Sequence, residues 1–447
     1  MLCSMGSIPI QRFKLQNFKS IGPTGVDLEF APLTILIGPN GAGKTSILEA
    51  IGVVVQSANQ PDRSGLDVDG KLMRVESESL LFHNGAEHDM RFEFLFSVEA
   101  LQLQSAVQYG DAKTLGYQLA YGPKGGVENG SYSSRRVQQV LSLDGVDKVR
   151  VEQTEKQRSY ELLESRFPLA GLPADADRIL GETAFGQPTF TADKNPSNEV
   201  YHYVYATGNL VQVLARVLNQ STTLLSSTRG ADLYVQNIGD VSLTTGRFGE
   251  GTVRVLSALQ ADVTRSESFN SIREWAAKFG LPSLTGGWIG RDELRLQYLD
   301  PNTKTALPIS MAGAGSKHIL PFIVECFVSP KPRLIMVDEP EQGLHPAFQL
   351  VLAELLAKSI ERGNQLILCT QSPTLVLAVC ALVAAKTIAR EAVAVYSLER
   401  DGDETKASRN AISASGAIEG GWFQHFAKAE RELLEKFLPG EEDAAAP

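Results

Sequence analysis

Short runs of consecutive apolar residues recur along this chain. Most are followed by a glycine-rich or acidic turn and then by an apolar pattern of helical period. Leu33, Ile35, Leu36 and Ile37 form the first run, Gly38–Thr45 the turn, and Ile47, Leu48, Ile51, Val54 and Val55 the helical face. Leu334–Val337 forms a second run, ending in Asp338-Glu339-Pro340-Glu341 and followed by helical period over 346–362. Leu366–Cys369 forms a third, followed by Thr370-Gln371-Ser372-Pro373, and Ala392–Ser397 reads as the last strand. Runs this short and this apolar predict strands of a parallel sheet buried on both faces.

The first hundred residues differ. Residues 10–18 alternate in part, with Ile10, Phe13, Leu15 and Phe18 apolar, and read as an edge-type strand. Gly22, Pro23 and Gly25 signal a turn before a second strand at Val26–Phe30. Residues 57–79 are polar and read as a long loop, and Met90–Val98 alternates as a strand. Residues 105–215 carry loop glycines and a basic stretch, Arg135 to Arg158, which reads as a solvated face more than a nucleic-acid groove. Val200–Val217 and Phe269–Phe279 have helical character, and Glu293–Leu299 reads as a returning strand. A glycine-rich turn over 309–321 feeds an apolar helix at Ile319–Phe327, which Pro330 and Pro332 end. Arg431–Leu438 reads as a terminal helix. No heptad run supports a coiled coil, and there is no repeat.

The chemistry lies on the turns. Gly38-Pro39-Asn40-Gly41-Ala42-Gly43-Lys44-Thr45 fits the P-loop pattern in its required strand–turn–helix context. Such a loop bends so that successive N–H groups, with those of Ser46 and its neighbours at a helix start, face phosphate oxygens. Lys44 is expected to reach the β- and γ-phosphates, and the Thr45 hydroxyl to hold Mg²⁺. Asp338 ends a buried strand, on the edge where open α/β sheets bind ligands, and is expected to share that Mg²⁺. Glu339 is the candidate base that activates water. Gly313, Gly315, Ser316 and Lys317 precede a helix and are candidates to grip a phosphate, with a structural turn as the equal alternative. Gln371 is a candidate to sense the γ-phosphate or order water, with a capping role as the alternative. Arg229, in S-S-T-R-G, is a candidate finger or inter-subunit contact, with a surface arginine as the default.

Composition narrows the setting. The 447 residues suffice for two or three domains, or for one with a large insertion, and 43% hydrophobic content allows a sizeable core. A formal charge of −10 argues against broad coating of DNA, though not against a local basic groove. The four cysteines form no C-x-x-C pair and read as reduced residues. No apolar run reaches membrane-spanning length, so a cytoplasmic protein with no membrane partner is expected. No histidine pair has metal-ligand spacing, so no zinc site is expected. The fold class expected is α/β: a P-loop NTPase with a mixed sheet, an antiparallel side sheet and a large inserted subdomain. The expected division is 1–104 and 301–437 for the two halves of the ATPase unit, 105–300 for the insertion, and 438–447 for a disordered tail.

Nearly 300 residues separate Lys44 from Asp338, although both must meet one nucleotide. This arrangement resembles the ABC-type ATPase heads of the SMC and RecF group, and most of all the OLD-family and related AAA ATPases of bacteria. The resemblance rests on L-Q-N-F-K-S at 15–20, the P-loop, A-G-A-G-S-K-H-I-L-P at 312–321, L-I-M-V-D-E-P-E-Q-G-L-H-P at 334–346, T-Q-S-P at 370–373 and, more weakly, G-G-W-F at 420–423. It covers roughly 1–100 and 222–437, and leaves 105–215 unmatched.

The resemblance implies a head that sandwiches two ATP molecules with a second copy of itself. Asp338 would be the Walker B residue and Glu339 the catalytic base. Gly313–Lys317 would be the signature turn that meets the partner's γ-phosphate. Two positions depart from the pattern. The family's signature serine falls in Gly315-Ser316-Lys317-His318, where either Ser316 or Lys317 takes its place. The usual switch histidine is Gln371, which can orient water but cannot become cationic. Slow or partner-gated hydrolysis is therefore expected. The overall expectation is an ATPase switch acting on a separate effector or a nucleic-acid transaction, in DNA repair or phage defence. The alternative is an ATP-binding regulatory scaffold with negligible turnover. OLD-like chains often add a nuclease domain; only about 50 residues follow the last predicted strand, so none is expected here.

Overall fold

The computed structural model describes residues 9–58, 65–85, 88–101, 112–124, 133–153, 158–162, 213–230, 233, 236–237, 244–288 and 293–419. In chain order, β1 (Ile10–Gln16), β2 (Val26–Glu29) and β3 (Leu33–Ile37) lead into helix α1 (Lys44–Ser57). Then come β4 (Met90–Ser97), β5 (Thr114–Lys124), β6 (Ser133–Leu143), β7 (Val146–Gln153) and β8 (Arg158–Leu162). Residues 213–221 are helical (α2) and precede β9 (Thr222–Leu225) and β10 (Gln236–Asn237). Helices α3 (Thr252–Ala261) and α4 (Ser266–Lys278) precede β11 (Thr285–Trp288), β12 (Glu293–Leu299) and β13 (Ala306–Pro308). The last part holds α5 (Ala314–Phe327), β14 (Leu334–Asp338), α6 (Pro346–Glu361), β15 (Gln365–Thr370), α7 (Pro373–Ala384), β16 (Val393–Asp401) and β17 (Glu404–Asn410).

The centre is a six-stranded sheet in the order β17-β16-β3-β15-β14-β9, parallel except for the β16–β17 hairpin. Its strands alternate sides, and each side builds its own core. Leu36, Met336, Ile367 and Cys369 face α1 and the first strands of the chain. Ile35, Ile37, Ile335, Val337, Leu366 and Leu368 face α3 to α7. Burial on both faces is why these strands read as unbroken apolar runs.

A second, antiparallel sheet runs β2-β1-β4-β5-β6-β7-β8 and packs its aromatic face into the first core. There the Phe13 and Phe94 rings lie 4.6 Å apart between centroids. Buried Gln365 ties the two sheets. Its side chain accepts from the Ile10 N–H at 3.0 Å and donates to the Ile10 carbonyl at 2.7 Å.

Four expectations need correction. β1 is not an edge strand, because it pairs with both β2 and β4. The sheet also continues from β4 into β5 without a break, so the expected boundary at 104/105 falls inside one structural unit. β9, which lies within the expected insertion, is a strand of the central sheet itself. β16 is not the last strand: the polar segment Glu404–Asn410 adds β17 as an exposed edge. The loop expected over 57–79 is partly anchored. Gln56 accepts from the Leu72 and Met73 N–H groups at 3.1 and 2.8 Å and donates to the Met73 carbonyl at 3.0 Å. The expected terminal helix and tail, and Gly420–Phe423, lie outside the described residues. No described helix is long and apolar enough to cross a membrane.

Candidate nucleotide site

Parallel register sets the site. Ile37 stands opposite Thr370, and Cys369 opposite Asp338, so β3, β15 and β14 end at one level. The three turns that follow them therefore meet along one edge of the sheet.

The first turn is Gly38–Gly43. Gly38 has to be glycine, because a Cβ there would lie 2.3 Å from the Leu398 carbonyl oxygen of β16. Gly41 and Gly43 hold φ of 76° and 89°, the left-handed region that favours glycine. A Cβ at Gly41 would meet nothing within 4 Å, so the loop is open in front. Pro39, Asn40 and Gly41 form its exposed lip, and the Ala42 N–H closes it on the Pro39 carbonyl at 3.3 Å. Lys44 is buried beneath, its ammonium donating to the Gly38 and Pro39 carbonyls at 2.8 and 2.9 Å. The N–H groups of Lys44, Thr45 and Ser46 open α1 and have no acceptor within its ladder. A loop of this form fits a phosphate chain. The Ser46 hydroxyl lies 3.4 Å from that of Ser20, which props the loop from behind.

The Thr45 hydroxyl donates to Asp338 Oδ2 at 3.0 Å, across 293 residues of sequence. The two oxygens fit a shared Mg²⁺: metal–oxygen distances of about 2.0–2.1 Å place neighbouring octahedral ligands roughly 2.9 Å apart. Burial pushes the Asp338 carboxyl up to about 6, and the Glu339 charge adds to this, against Thr45, Lys44 and Arg229. A cation at that spot would relieve the strain of two adjacent carboxylates.

Glu339 sits at φ 47°, a conformation that side chains seldom adopt, with its N–H on the Cys369 carbonyl at 2.8 Å. Its Oε1 accepts from the Gln371 side-chain amide. Gln371 is therefore not a helix cap; Ser372 caps α7, accepting from the Leu375 N–H at 3.2 Å. Glu341 supports the same turn by accepting from the Thr370 hydroxyl at 2.5 Å and the Gln371 N–H at 3.2 Å.

Arg229 is not the surface residue its sequence context favours. It is fully buried just after β9. Its guanidinium donates to the carbonyls of His318 at 2.8 Å, Ser226 at 2.9 Å, Asp338 at 2.7 Å and Glu339 at 3.0 Å. Burial lowers its pKa to about 10, with the charges of Glu341, Asp338 and Glu339 opposing, so it stays cationic at neutral pH. One side chain thus ties α5 to the end of β14. The signal was present: Thr222–Leu225 is another short strand, level with Leu334–Val337, and Arg229 lies in the turn that follows it.

The third cluster, Gly313–Lys317, opens α5, which begins at Ala314, earlier than its apolar pattern suggests. Pro321 lies inside this helix and offers no N–H to the Lys317 carbonyl. Gly230 packs there instead: its Cβ would lie 2.5 Å from that oxygen. Gly313 and Ala314 are exposed. The Ser316 hydroxyl is turned inward, donating to the Phe279 carbonyl at 2.7 Å, while the Lys317 ammonium, among the described residues, reaches only the Ser310 carbonyl, at 3.5 Å. Among the described residues no hydrogen bond joins this cluster to Gly38–Ser46 of the same chain. Gly315 faces Gly343, and a Cβ on Gly315 would stand 2.3 Å from the Gly343 carbonyl oxygen. Gly315→Ala is accordingly expected to cost about 1–3 kcal/mol, read as a lower denaturant midpoint, whereas Ala314→Gly should cost about 1 kcal/mol or less.

Residues 176–378 match the family described as "AAA domain, putative AbiEii toxin, Type IV TA system", and residues 12–163 match one described as "AAA domain". Over 350 residues the chain is 20% identical to an "ATP/GTP phosphatase" of Helicobacter pylori, with 75% of this chain and 77% of that one aligned. It is 35% identical over 86 residues to the DNA replication and repair protein RecF of Vibrio campbellii, across 19% and 23% of the two chains. It is 46% identical over 46 residues to an OLD nuclease of Thermus scotoductus, across 10% and 8%. Among solved structures, it is similar to an Smc head bound to the C-winged helix domain of ScpA: TM-score 0.51, 13% identity, 91% of this chain and 98% of that one. An Smc head with an extended coiled coil, bound to the C-terminal domain of ScpA derived from Pyrococcus furiosus, gives TM-score 0.50 and 12% identity over 96% and 99%. At these identities the structural likeness is one of fold, and the fold is that of a P-loop ATPase head.

Proposed function

We propose that this chain, an AAA-family ATPase of the SMC/RecF/OLD-like kind, binds ATP with Mg²⁺ between the glycine-rich loop and Asp338. It hydrolyses the ATP and pairs with a second copy of itself to switch a partner effector or a nucleic-acid transaction. The observation that carries the reading is the 3.0 Å contact of Thr45 with Asp338. It joins the phosphate loop to the acidic turn on the side where the amides of α1 are open. The names of the RecF and OLD nuclease relatives, and a family description that includes a toxin–antitoxin system, support a nucleic-acid or defence setting.

In this reading the α1 amides and Lys44 bind the phosphates. Thr45 and Asp338 hold Mg²⁺, whose chemistry is to neutralise charge on the phosphate oxygens. Glu339 takes a proton from the attacking water, and Gln371 orients Glu339. The exposed turn at Gly313 and Ala314 completes the partner's site, and Met311 beside it, 65% exposed, adds apolar contact at the junction. One observation favours the scaffold reading as well: the Gln371 amide occupies one oxygen of the candidate base. Phosphate release by the pure protein separates the two.

Lys44→Ala tests the site. Two charge-assisted hydrogen bonds inside the loop vanish with the ammonium. In this reading the ammonium also meets the phosphates; at about 1.5–3 kcal/mol for one such charge-assisted bond, ATP affinity should fall roughly 10- to 100-fold. Undiminished affinity by fluorescence titration would refute the site.

A further inference from the structure

The parallel strands begin at the end of the central sheet away from the glycine-rich loop. There a cleft of about 910 Å³ opens against β9, the edge strand. Its wall includes Thr222 and Thr223 at the start of β9, Arg333 just before β14, and Gln56 in the last turn of α1. Arg333 is held from behind by fully buried Glu325 at 2.9 Å. The Thr223 hydroxyl sits between them, accepting from Arg333 at 2.6 Å and donating to Glu325 at 3.0 Å. The Thr245 N–H and hydroxyl satisfy the other Glu325 oxygen at 2.6 and 2.8 Å. The floor of the cleft is therefore rigid and electrically closed.

The rest of the lining is not closed. Cations there outnumber the carboxylates, which are Asp67, Asp69 and Glu250. Arg247 and Arg265 already have partners in Glu49 at 3.1 Å and Asp262 at 3.4 Å. Lys71, Arg254 and Lys331 pair with no described carboxylate. The three acids are engaged as well: Asp67 with the Asp69 N–H at 3.2 Å, Asp69 with Arg74 at 2.9 Å, and Glu250 with the Phe248 N–H at 2.9 Å. Thr222, 5% exposed, forms part of the cleft wall, and its hydroxyl is buried beneath the surface with no hydrogen-bond partner among the described residues.

We infer that this cleft binds a small phosphorylated anion, with Arg254 and Lys331 as its charged clamps. A chain of formal charge −10 gathers anions only where cations are concentrated in a concave wall, and this cleft is such a place. Its volume suits a molecule of nucleotide size, for which pockets run about 300–1,000 Å³. The position is that of an effector. Gln56 ends the helix that begins at the phosphate loop, and Val328 to Arg333 join α5, which opens at the Gly313 turn, to β14, which ends at Asp338. The inference does not depend on nucleotide binding at Lys44.

The test titrates pyrophosphate into the full-length Lys44→Ala protein by calorimetry, where the phosphate loop is weakened. Saturable binding is expected, weaker by about tenfold or more when Arg254→Glu and Lys331→Glu are added. ATP affinity of the Arg254→Glu/Lys331→Glu protein with Lys44 intact should match the wild type, so failure at one site is distinguishable from failure at the other. No saturable binding by about 10 mM pyrophosphate, or binding indifferent to the charge reversals, overturns the inference. So does a single-stranded oligonucleotide that binds through the same two residues and is not displaced by pyrophosphate.

Discussion

Glu339→Gln is expected to lower phosphate release by about 10²- to 10⁴-fold, the usual contribution of a positioned base, while ATP affinity stays within a few fold. The substitution keeps the side chain's length and shape but removes its capacity to take a proton. The surroundings also survive. The φ of 47° at this position, the N–H bond to Cys369 and the Arg229 bond to the Glu339 carbonyl all belong to the backbone. The side-chain amide can still accept from Gln371 through its oxygen. With binding intact and hydrolysis blocked, the ATP-bound form should accumulate, and sizing chromatography should give twice the monomer mass in ATP but not in ADP. Turnover within a few fold of wild type would remove Glu339 from the role of base. A monomer in ATP for both proteins would reject the paired-head arrangement while leaving the nucleotide site standing.

Arg229→Met should destabilise the protein by about 3–5 kcal/mol and suppress turnover far more than it weakens ATP binding. The methionine fills most of the volume but offers no donors. Four carbonyls, from Ser226, His318, Asp338 and Glu339, would lose a charged donor inside a packed interior, although Ser226 keeps the Arg229 N–H at 3.3 Å. Two of them belong to the residues proposed to hold the metal and activate water, and one belongs to α5. The end of β14 would then be free to shift against the helix that opens at Gly313. Arg229→Lys supplies a control. It keeps the charge and part of the reach but not the planar fork, so it should recover stability more than turnover. Equal loss in both quantities for both variants would reduce Arg229 to a packing role. The unfolding midpoint in denaturant, measured beside phosphate release and ATP affinity, distinguishes these results.

The glycine-rich loop and the acidic turn were legible because each is a local signal. Gly38 to Thr45 carries its own backbone requirement, and the apolar runs around it declare a strand and a helix without reference to the rest of the chain. The same holds for Leu334–Asp338 and for Gln365–Thr370, whose two-sided burial makes Leu334–Val337 and Leu366–Cys369 apolar throughout. β5, β6 and β17 were harder to see. β5 and β6 interrupt their apolar residues with glycines, glutamines and arginines, and β17 buries only Thr405. An exposed edge strand is held by the ladder of its neighbour, which no periodicity of its own records.

What the amino-acid order determined by itself, then, is the set of local devices: the phosphate loop, the strand-end acids, and the glycine turn before α5. Only the tertiary structure decided how they meet. Parallel register brings Thr45 to Asp338 and Gln371 to Glu339, and the return of β9 to the sheet edge buries Arg229 beneath both. It also leaves Arg254, Lys331 and Thr222 around one cleft at the far end of the sheet. Hydrogen bonds and charge pairs over such separations depend on where folded strands end, and that is set by the packing of the whole core.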